Sequence, residues 1–126
     1  MQDQLFEYAV IRIVPKVERE EFMNVGVIVY CSKQKFLQAM YHFDGHRLGA
    51  FCKETDLTEL QKNLEAMDII CKATSGSGPI GKLDIAARFR WLTATRSTVV
   101  QTSKVHPGLC ADPADTLLKL YNRLVL

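Results

Sequence analysis

Two stretches in the first third of the chain are hydrophobic at odd and even positions alike. Residues 6–14 (FEYAVIRIV) and residues 25–31 (VGVIVYC) share this pattern. A strand with one solvent-exposed face alternates apolar and polar side chains, whereas a strand buried on both faces is apolar at successive positions. The pattern therefore predicts two central strands that pair with each other. Pro15 ends the first of them, because proline has no backbone N–H to donate.

The chain then continues as a hairpin. Residues 32–35 are polar and short enough for a hairpin loop, and residues 36–43 predict a third strand. The Asp44-Gly45 step marks a turn, and residues 46–53 are expected to form a short helix. The first half of the chain is thus predicted to be a β-meander followed by a helical segment.

Helical periodicity governs much of the second half. Asp56, with Glu59 three residues later, matches a capping box at the start of a helix. The apolar residues that follow fall on one stripe: Leu57, Leu60, Leu64, Met67 and Cys71. The stripe lasts only two heptads, so packing on the sheet is favoured over a coiled coil. A last helix is predicted after Asp112 as N-cap and Pro113 at the first helical position.

Between these helices the pattern is mixed. The stretch SGSGPIG, residues 75–81, predicts a loop, because Gly, Ser and Pro hold no regular structure there. In residues 85–92, a helical spacing of apolar side chains competes with an alternation of aromatic residues and arginines, and we favour the helix. Residues 97–102 predict a fourth strand.

This order of elements predicts an α+β fold. We expect an antiparallel or mixed sheet of about four strands, made of the N-terminal β-meander plus a later strand, packed with three to four helices. With 126 residues and 48% hydrophobic composition, the chain is long enough to bury a core, so residues 1–126 are expected to form one globular domain.

Composition excludes some partners and favours one compartment. The formal net charge of +2 does not by itself indicate nucleic acid. No apolar stretch approaches the roughly 20 residues that cross a bilayer, so no membrane attachment is expected. The four cysteines are widely spaced without a C-x-x-C pair, which predicts buried, reduced thiols in a cytoplasmic protein.

Few residues are arranged in a pattern typical of catalysis. The glycines of residues 75–81 fit neither a dinucleotide-binding nor a Walker loop. His42 and His46 have a helical metal spacing, but a turn is predicted between them, so no metal and no cofactor are expected. His106 and Cys110 are four residues apart, and a packed cysteine is favoured there over a Cys-His nucleophile. The pattern leans toward a protein that is not an enzyme.

One segment is basic and free of acidic side chains. Between Ile85 and Ala111 there is no Asp or Glu. The candidate phosphate-binding or nucleic-acid-binding residues of this segment are Arg88, Arg90, Arg96 and Lys104, with Phe89 and Trp91 interleaved. Such a segment suits phosphates and stacked bases. A solvated basic face over a packed Trp is the favoured alternative, since the net charge gives no further support.

The stretch REEFMNVGVIVYC, residues 19–31, combines a charged turn with a core strand. Asn24 tolerates a tight conformation before the strand, and Gly26 permits close approach by another backbone or side chain. The two carboxylates Glu20 and Glu21 are not explained by packing. They suit a general base, a metal ligand or a plain charged loop.

Three stretches together carry a family resemblance. They are YAVIRIVPKVEREEFMNVGVIVYC, FRWLTATRSTVVQTSKVHPGL and DPADTLLKLYNRLV, which cover nearly the whole chain. The Asn-Val-Gly-Val step at residues 24–27, the run of residues 96–101 and the Val-His-Pro-Gly-Leu step at residues 105–109 resemble the bacterial family known as domain of unknown function 3037. Thr95 stands where that family's pattern has a proline.

The resemblance implies a cytoplasmic bacterial or phage protein that is often encoded beside a HipA-like kinase, and it implies no established activity. The motif positions that core packing does not explain are Glu21, Asn24, Arg96, Ser97 and His106. We expect these five to share a groove where two strands begin. Both a structural ion pair between Glu21 and Arg96 and a binding site fit this expectation.

Three functions remain open from the sequence. The first is a non-enzymatic interaction or accessory domain with a protein partner, such as a HipA-like kinase. The second is a small nucleic-acid-binding or nucleic-acid-processing domain that uses residues 88–104. The third is a self-associating module, because two-sided apolar strands need a cover; a homo-oligomer fits all three.

Overall fold

The strand around which the sheet is built contains residues 6–13 of the first hydrophobic stretch. In the computed structural model, the described residues are 3–15, 21–51, 56–95 and 98–126. The elements in chain order are β1 (Gln4–Ile13), β2 (Met23–Cys31), β3 (Phe36–Tyr41), α1 (Gly45–Phe51), α2 (Leu57–Lys72), α3 (Ile85–Leu92), β4 (Val100–Thr102), β5 (His106–Cys110) and α4 (Pro113–Leu124). This is the predicted α+β fold.

The five strands form one antiparallel sheet. Its order is β3-β2-β1, and the far side of β1 pairs with β5 along its first half and with β4 along its second half. The predicted pairing of the two hydrophobic strands is confirmed, with Tyr8 opposite Val29 and Ile11 opposite Gly26. β1 therefore lies inside the sheet, which explains its hydrophobic side chains on both faces.

Each face of the sheet has its own hydrophobic core. On one face, Ile11, Ile13 and Ile28 pack with buried residues of α1, α2 and α3. On the other face, Val27 and Val29 pack with Leu117 and Leu120 of α4, among others. The sheet is therefore the middle layer of three.

The helices begin at the acidic caps that the sequence predicts. The Asp56 carboxylate accepts hydrogen bonds from the backbone N–H groups of Thr58 and Glu59, and the Asp112 carboxylate accepts one from Ala114. α3 is a helix, because Asp84 caps it and its two buried side chains, Phe89 and Leu92, lie on one helical face.

The boundaries differ from the prediction in the middle of the chain. β3 ends at Tyr41, two residues before the predicted end, because the Asp44 carboxylate and carbonyl already accept the first hydrogen bonds of α1. α1 begins at Gly45 and is described to Phe51, so Cys52 and Lys53 lie outside the described residues.

The C-terminal third holds one strand more than predicted. β4 spans only the second half of the predicted fourth strand, Val100–Thr102, and Ser97 lies outside the described residues. β5 (His106–Cys110) was not predicted, because Pro107 and Gly108 disfavour a strand. An edge strand tolerates both residues, since its outer N–H groups need no partner in the sheet. Across the described residues, every helix is too short or too polar to span a membrane.

Candidate functional site

A bulge at the start of β2 sets the geometry of the candidate site. The register between β1 and β2 shifts by one residue, so that Ile11 lies opposite Gly26 while Arg12 lies opposite Asn24. A Cβ atom on Gly26 would come within 2.8 Å of both the Met40 carbonyl oxygen and the Tyr41 Cβ. Gly26 thus permits the close approach of β3, and the extra residue, Val25, turns the Asn24 side chain toward α4.

Asn24 connects the sheet to the end of α4. Its Nδ2 donates a hydrogen bond to the backbone carbonyl oxygen of Leu124, at 3.1 Å. That carbonyl is one of the last in the helix, where no intrahelical donor remains. Because Nδ2 is fixed by this acceptor, Oδ1 must point the other way. It is buried and has no hydrogen-bond partner among the described residues.

Arg12 lies at the centre of a polar row across three strands. Asn24 is its neighbour on β2 and Gln101 its neighbour on β4. The guanidinium carbon lies 4.1 Å from the centroid of the Phe22 ring, in cation–π contact. Its Nε is buried without a hydrogen-bond partner, and within the described ranges no carboxylate forms an ion pair with it.

His106 lies further along the same face. It is exposed, it pairs with Tyr8 across β1 and β5, and the two ring centroids are 5.2 Å apart. α4 packs mainly against β2 and β3 and leaves the β1, β4 and β5 side of this face more open. We call this side, together with the adjoining start of β2, the open half. Its polar and aromatic residues are Tyr8, Arg12, Phe22, Asn24, Gln101 and His106.

The predicted groove is only partly described. Glu21 is exposed next to Phe22, and Asn24 and His106 share the face of the sheet that α4 covers. The β1 partner of His106 is Tyr8, which lies four residues, or about 13 Å, from Arg12 along the strand. His106 therefore does not contact Asn24. Arg96 and Ser97 lie outside the described residues, so the groove and its ion pair stay a prediction.

Arg88 and Arg90 of the basic segment lie on the opposite face of the sheet, where α2 and α3 pack. Arg88 donates to the carbonyl oxygens of Ile70 and Cys71 at 2.9 and 2.8 Å, and so closes the C-terminal end of α2. Arg90 forms an ion pair with Glu7 at 2.9 Å. Lys104 is exposed, and Arg96 is outside the described residues. Two of the four predicted phosphate contacts are therefore occupied by contacts within the fold.

Two of the described cysteines lie side by side, because the thiols of Cys31 and Cys110 are in hydrogen-bonding contact. Cys31, Cys71 and Cys110 are buried free thiols, and Cys52 lies outside the described residues. Burial raises the pKa of the Cys71 thiol to about 12 and also raises the pKa of Cys110, which leaves both as poor nucleophiles. His106 and Cys110 lie four residues apart on one strand, about 13 Å from each other.

Metal ligands show no cluster in the described part of the chain. There, no three His, Cys, Asp or Glu side chains lie close enough to hold an ion. His42 follows β3, whereas His46 belongs to α1.

Arg12, Phe22 and Gln101 are not among the candidate site residues predicted from the sequence. Arg12 does carry a signal, because it is the only charged residue in the hydrophobic run of residues 8–14. A charge in a strand that is covered on both faces needs a specific reason. Phe22 and Gln101 carry no such signal, since only the strand register places them beside Arg12.

Comparison with known proteins agrees with the sequence motifs. The family model described as "Protein of unknown function (DUF3037)" matches residues 8–125, which span all but the two ends of the chain. No curated protein and no solved structure matches the chain. The motifs that the family resemblance rests on include the Asn24-Val25-Gly26 bulge and the β5 strand. The chain belongs to the DUF3037 family.

Proposed function

We propose that this chain is a non-enzymatic interaction domain that binds a protein partner on the open half. One observation carries the proposal: Arg12 is half-buried and stacked on Phe22, yet no carboxylate of the described chain neutralises it. Phe22 itself is 48% exposed. A buried arginine with an exposed aromatic neighbour is typical of the residues that dominate protein interfaces.

The basic segment is a poor match for nucleic acid. Binding to a phosphate backbone draws on several cations at once. Of the basic residues proposed from the sequence, Arg88 and Arg90 are held by the fold on the opposite face, and Lys104 is the exposed one that remains among those described. The protein partner is therefore favoured, and the family resemblance makes a HipA-like kinase encoded nearby the first partner to test.

The chain offers a closely matched pair of variants for this test. Phe22 on the open half and Leu118 on the outer side of α4 are exposed to nearly the same extent, 48% and 47%. Replacing either by Ser removes a similar amount of exposed apolar surface, and neither change disturbs a buried core. Any difference in binding between Phe22→Ser and Leu118→Ser then reports on the location of the interface.

The experiment uses the full chain, immobilised, and a nuclease-treated lysate together with the purified HipA-like kinase. We expect a protein that is retained by the parent chain and by Leu118→Ser, and lost with Phe22→Ser. Mass spectrometry identifies it. Retention by all three chains would place the interface elsewhere. Recovery of nuclease-sensitive material in an untreated lysate, with no protein retained, would favour nucleic acid instead.

A further inference from the structure

We infer that a cavity between α2, α3 and β4 binds a free, neutral aromatic compound of one or two rings that carries an N–H or O–H donor. The cavity lies on the face of the sheet where α2 and α3 pack. Gln101 lines it and also belongs to the open half, because β4 is an edge strand. The inference goes beyond the proposed function and does not rest on it.

Apolar side chains from three elements form most of the cavity wall. They are Ala66, Met67 and Ile70 of α2, Trp91 and Leu92 of α3, and Val100 of β4. Trp91 is 40% exposed, so its ring can be reached by a ligand from solvent. An apolar ligand would remove this partly exposed apolar surface from water, which is the main favourable contribution to binding in such sites.

The size of the cavity limits the ligand. Its volume is about 220 Å³. An apolar cavity of roughly 150 Å³ holds benzene, whereas sites for drug-sized ligands begin at about 300 Å³. The cavity therefore accepts one ring or two fused rings and is too small to enclose a nucleotide. A flat aromatic ring gains further from contact with the indole of Trp91.

The polar part of the lining selects a neutral ligand with a donor. Its residues are Asn63, Thr98, Gln101 and Thr102, and none of the described lining residues carries a charge. A charged ligand would lose hydration there without gaining an ion pair. Gln101 Nε2 donates to the Thr98 carbonyl at 2.8 Å, and Thr98 Oγ1 donates to the Val100 carbonyl at 2.7 Å. These two side chains have oxygen acceptors left for a ligand, which suit an N–H or O–H group.

The test is an NMR titration of the isotope-labelled full chain with small ring compounds. Trp91 is the single tryptophan of the chain, so its indole N–H gives one resonance that reports on the cavity. We expect indole to shift this resonance in a saturable manner. Benzofuran has the same shape without the donor and should bind at least about fivefold more weakly, the usual effect of one hydrogen bond. Indoleacetate adds a charge and should bind at least about tenfold more weakly.

Two variants of α2 locate the bound compound. Ala66 is exposed and lines the cavity, whereas Gln61 is exposed on the same helix and does not line it. Ala66→Leu places a larger side chain in the cavity and should abolish the indole-dependent shift. Gln61→Leu adds the same side chain outside the cavity and should leave the shift unchanged. Leucine is a good helix former and both positions are exposed, so both variants are expected to fold.

Several results would overturn the inference. They are equal affinity for indole and either of the other two compounds, an indole-dependent shift that persists in Ala66→Leu, and the absence of a saturable shift in the parent chain. Tighter binding of N-acetyl-tryptophanamide than of indole would assign the cavity to the side chain of a protein partner, and would overturn it as well. The proposed function is tested separately, because Phe22 does not line the cavity and Ala66 is not part of the open half.

Discussion

Asn24 and Leu124 are 100 residues apart in the chain, yet a side-chain amide of the first holds the last carbonyl group of α4 at 3.1 Å. The contact joins the bulge at the start of β2 to the end of the helix that covers the second core. It accounts for the Asn in the Asn-Val-Gly step, and it leaves Asn24 Oδ1 buried with no hydrogen-bond partner among the described residues.

Replacing Asn24 should therefore weaken the fold. Asn24→Ala is expected to lower the free energy of unfolding by about 1 kcal/mol, the usual contribution of one hydrogen bond. Urea denaturation measures the loss. Gln38→Ala, at an exposed position of β3, is the control and should stay within about 0.5 kcal/mol of the parent.

Replacement by Ala should lower the stability of the fold at Gly26 but not at Gly49. Gly26→Ala places a Cβ 2.8 Å from the Met40 carbonyl oxygen, and that backbone cannot move without breaking the sheet. We expect a loss of about 1–3 kcal/mol. Gly49→Ala, in α1, meets only Leu57 Cδ1 at 3.7 Å and should be neutral or stabilising by up to about 1 kcal/mol. A parent-like thermal midpoint for Gly26→Ala would contradict the packing of β2 against β3.

The central position of β1 can be tested with one charge placed at two points of the same strand. Ile11 is fully buried and Leu5 is 58% exposed. Ile11→Asp should abolish cooperative unfolding, since an unpaired buried carboxylate costs several kcal/mol. Leu5→Asp should melt close to the parent. Circular dichroism on heating distinguishes the two variants. A cooperative melt for Ile11→Asp would contradict the interior position of β1 in the sheet.

Substitutions of Arg88 and Lys104 distinguish a structural role of the basic segment from nucleic-acid binding. Arg88→Ala leaves the Ile70 and Cys71 carbonyls without their donor and should cost about 2 kcal/mol in unfolding free energy. Lys104→Ala should leave stability unchanged. If the basic segment instead bound nucleic acid, both variants would lower affinity for single-stranded RNA in a filter-binding assay, and the two losses would be similar.

The Cys71 thiol should make stability depend on pH in the alkaline range. Burial raises its pKa from 9.0 to about 12, so the folded state keeps a proton that the unfolded chain releases above pH 9. The stabilisation is complete below pH 9 and is lost as the pH rises toward 12, by at most about 1.4 kcal/mol per pH unit. Urea denaturation from pH 8 to 10.5 should show a steeper decline for the parent than for Cys71→Ala. Parallel curves would mean that Cys71 titrates normally in the fold.

Much of the fold could be predicted because local chemistry agrees with tertiary structure there. The hydrophobic side chains on both faces of residues 6–14 and 25–31 require cover on two sides, which an α+β arrangement with β1 inside the sheet provides. The acidic caps Asp56 and Asp112 set the starts of α2 and α4 with their own carboxylates. These contacts lie within three residues along the chain, so the sequence contains all the information they need.

The tertiary structure alone decided β5 and the candidate site. Pro107 and Gly108 disfavour a strand in isolation, and they are accommodated because β1 supplies a partner on only one side. The row of Asn24, Arg12 and Gln101 depends on a one-residue bulge and on two strand registers. A shift of one residue would turn each side chain to the opposite face. Sequence therefore determined the helices and the strands β1 to β3, whereas long-range pairing determined β5 and which polar groups meet.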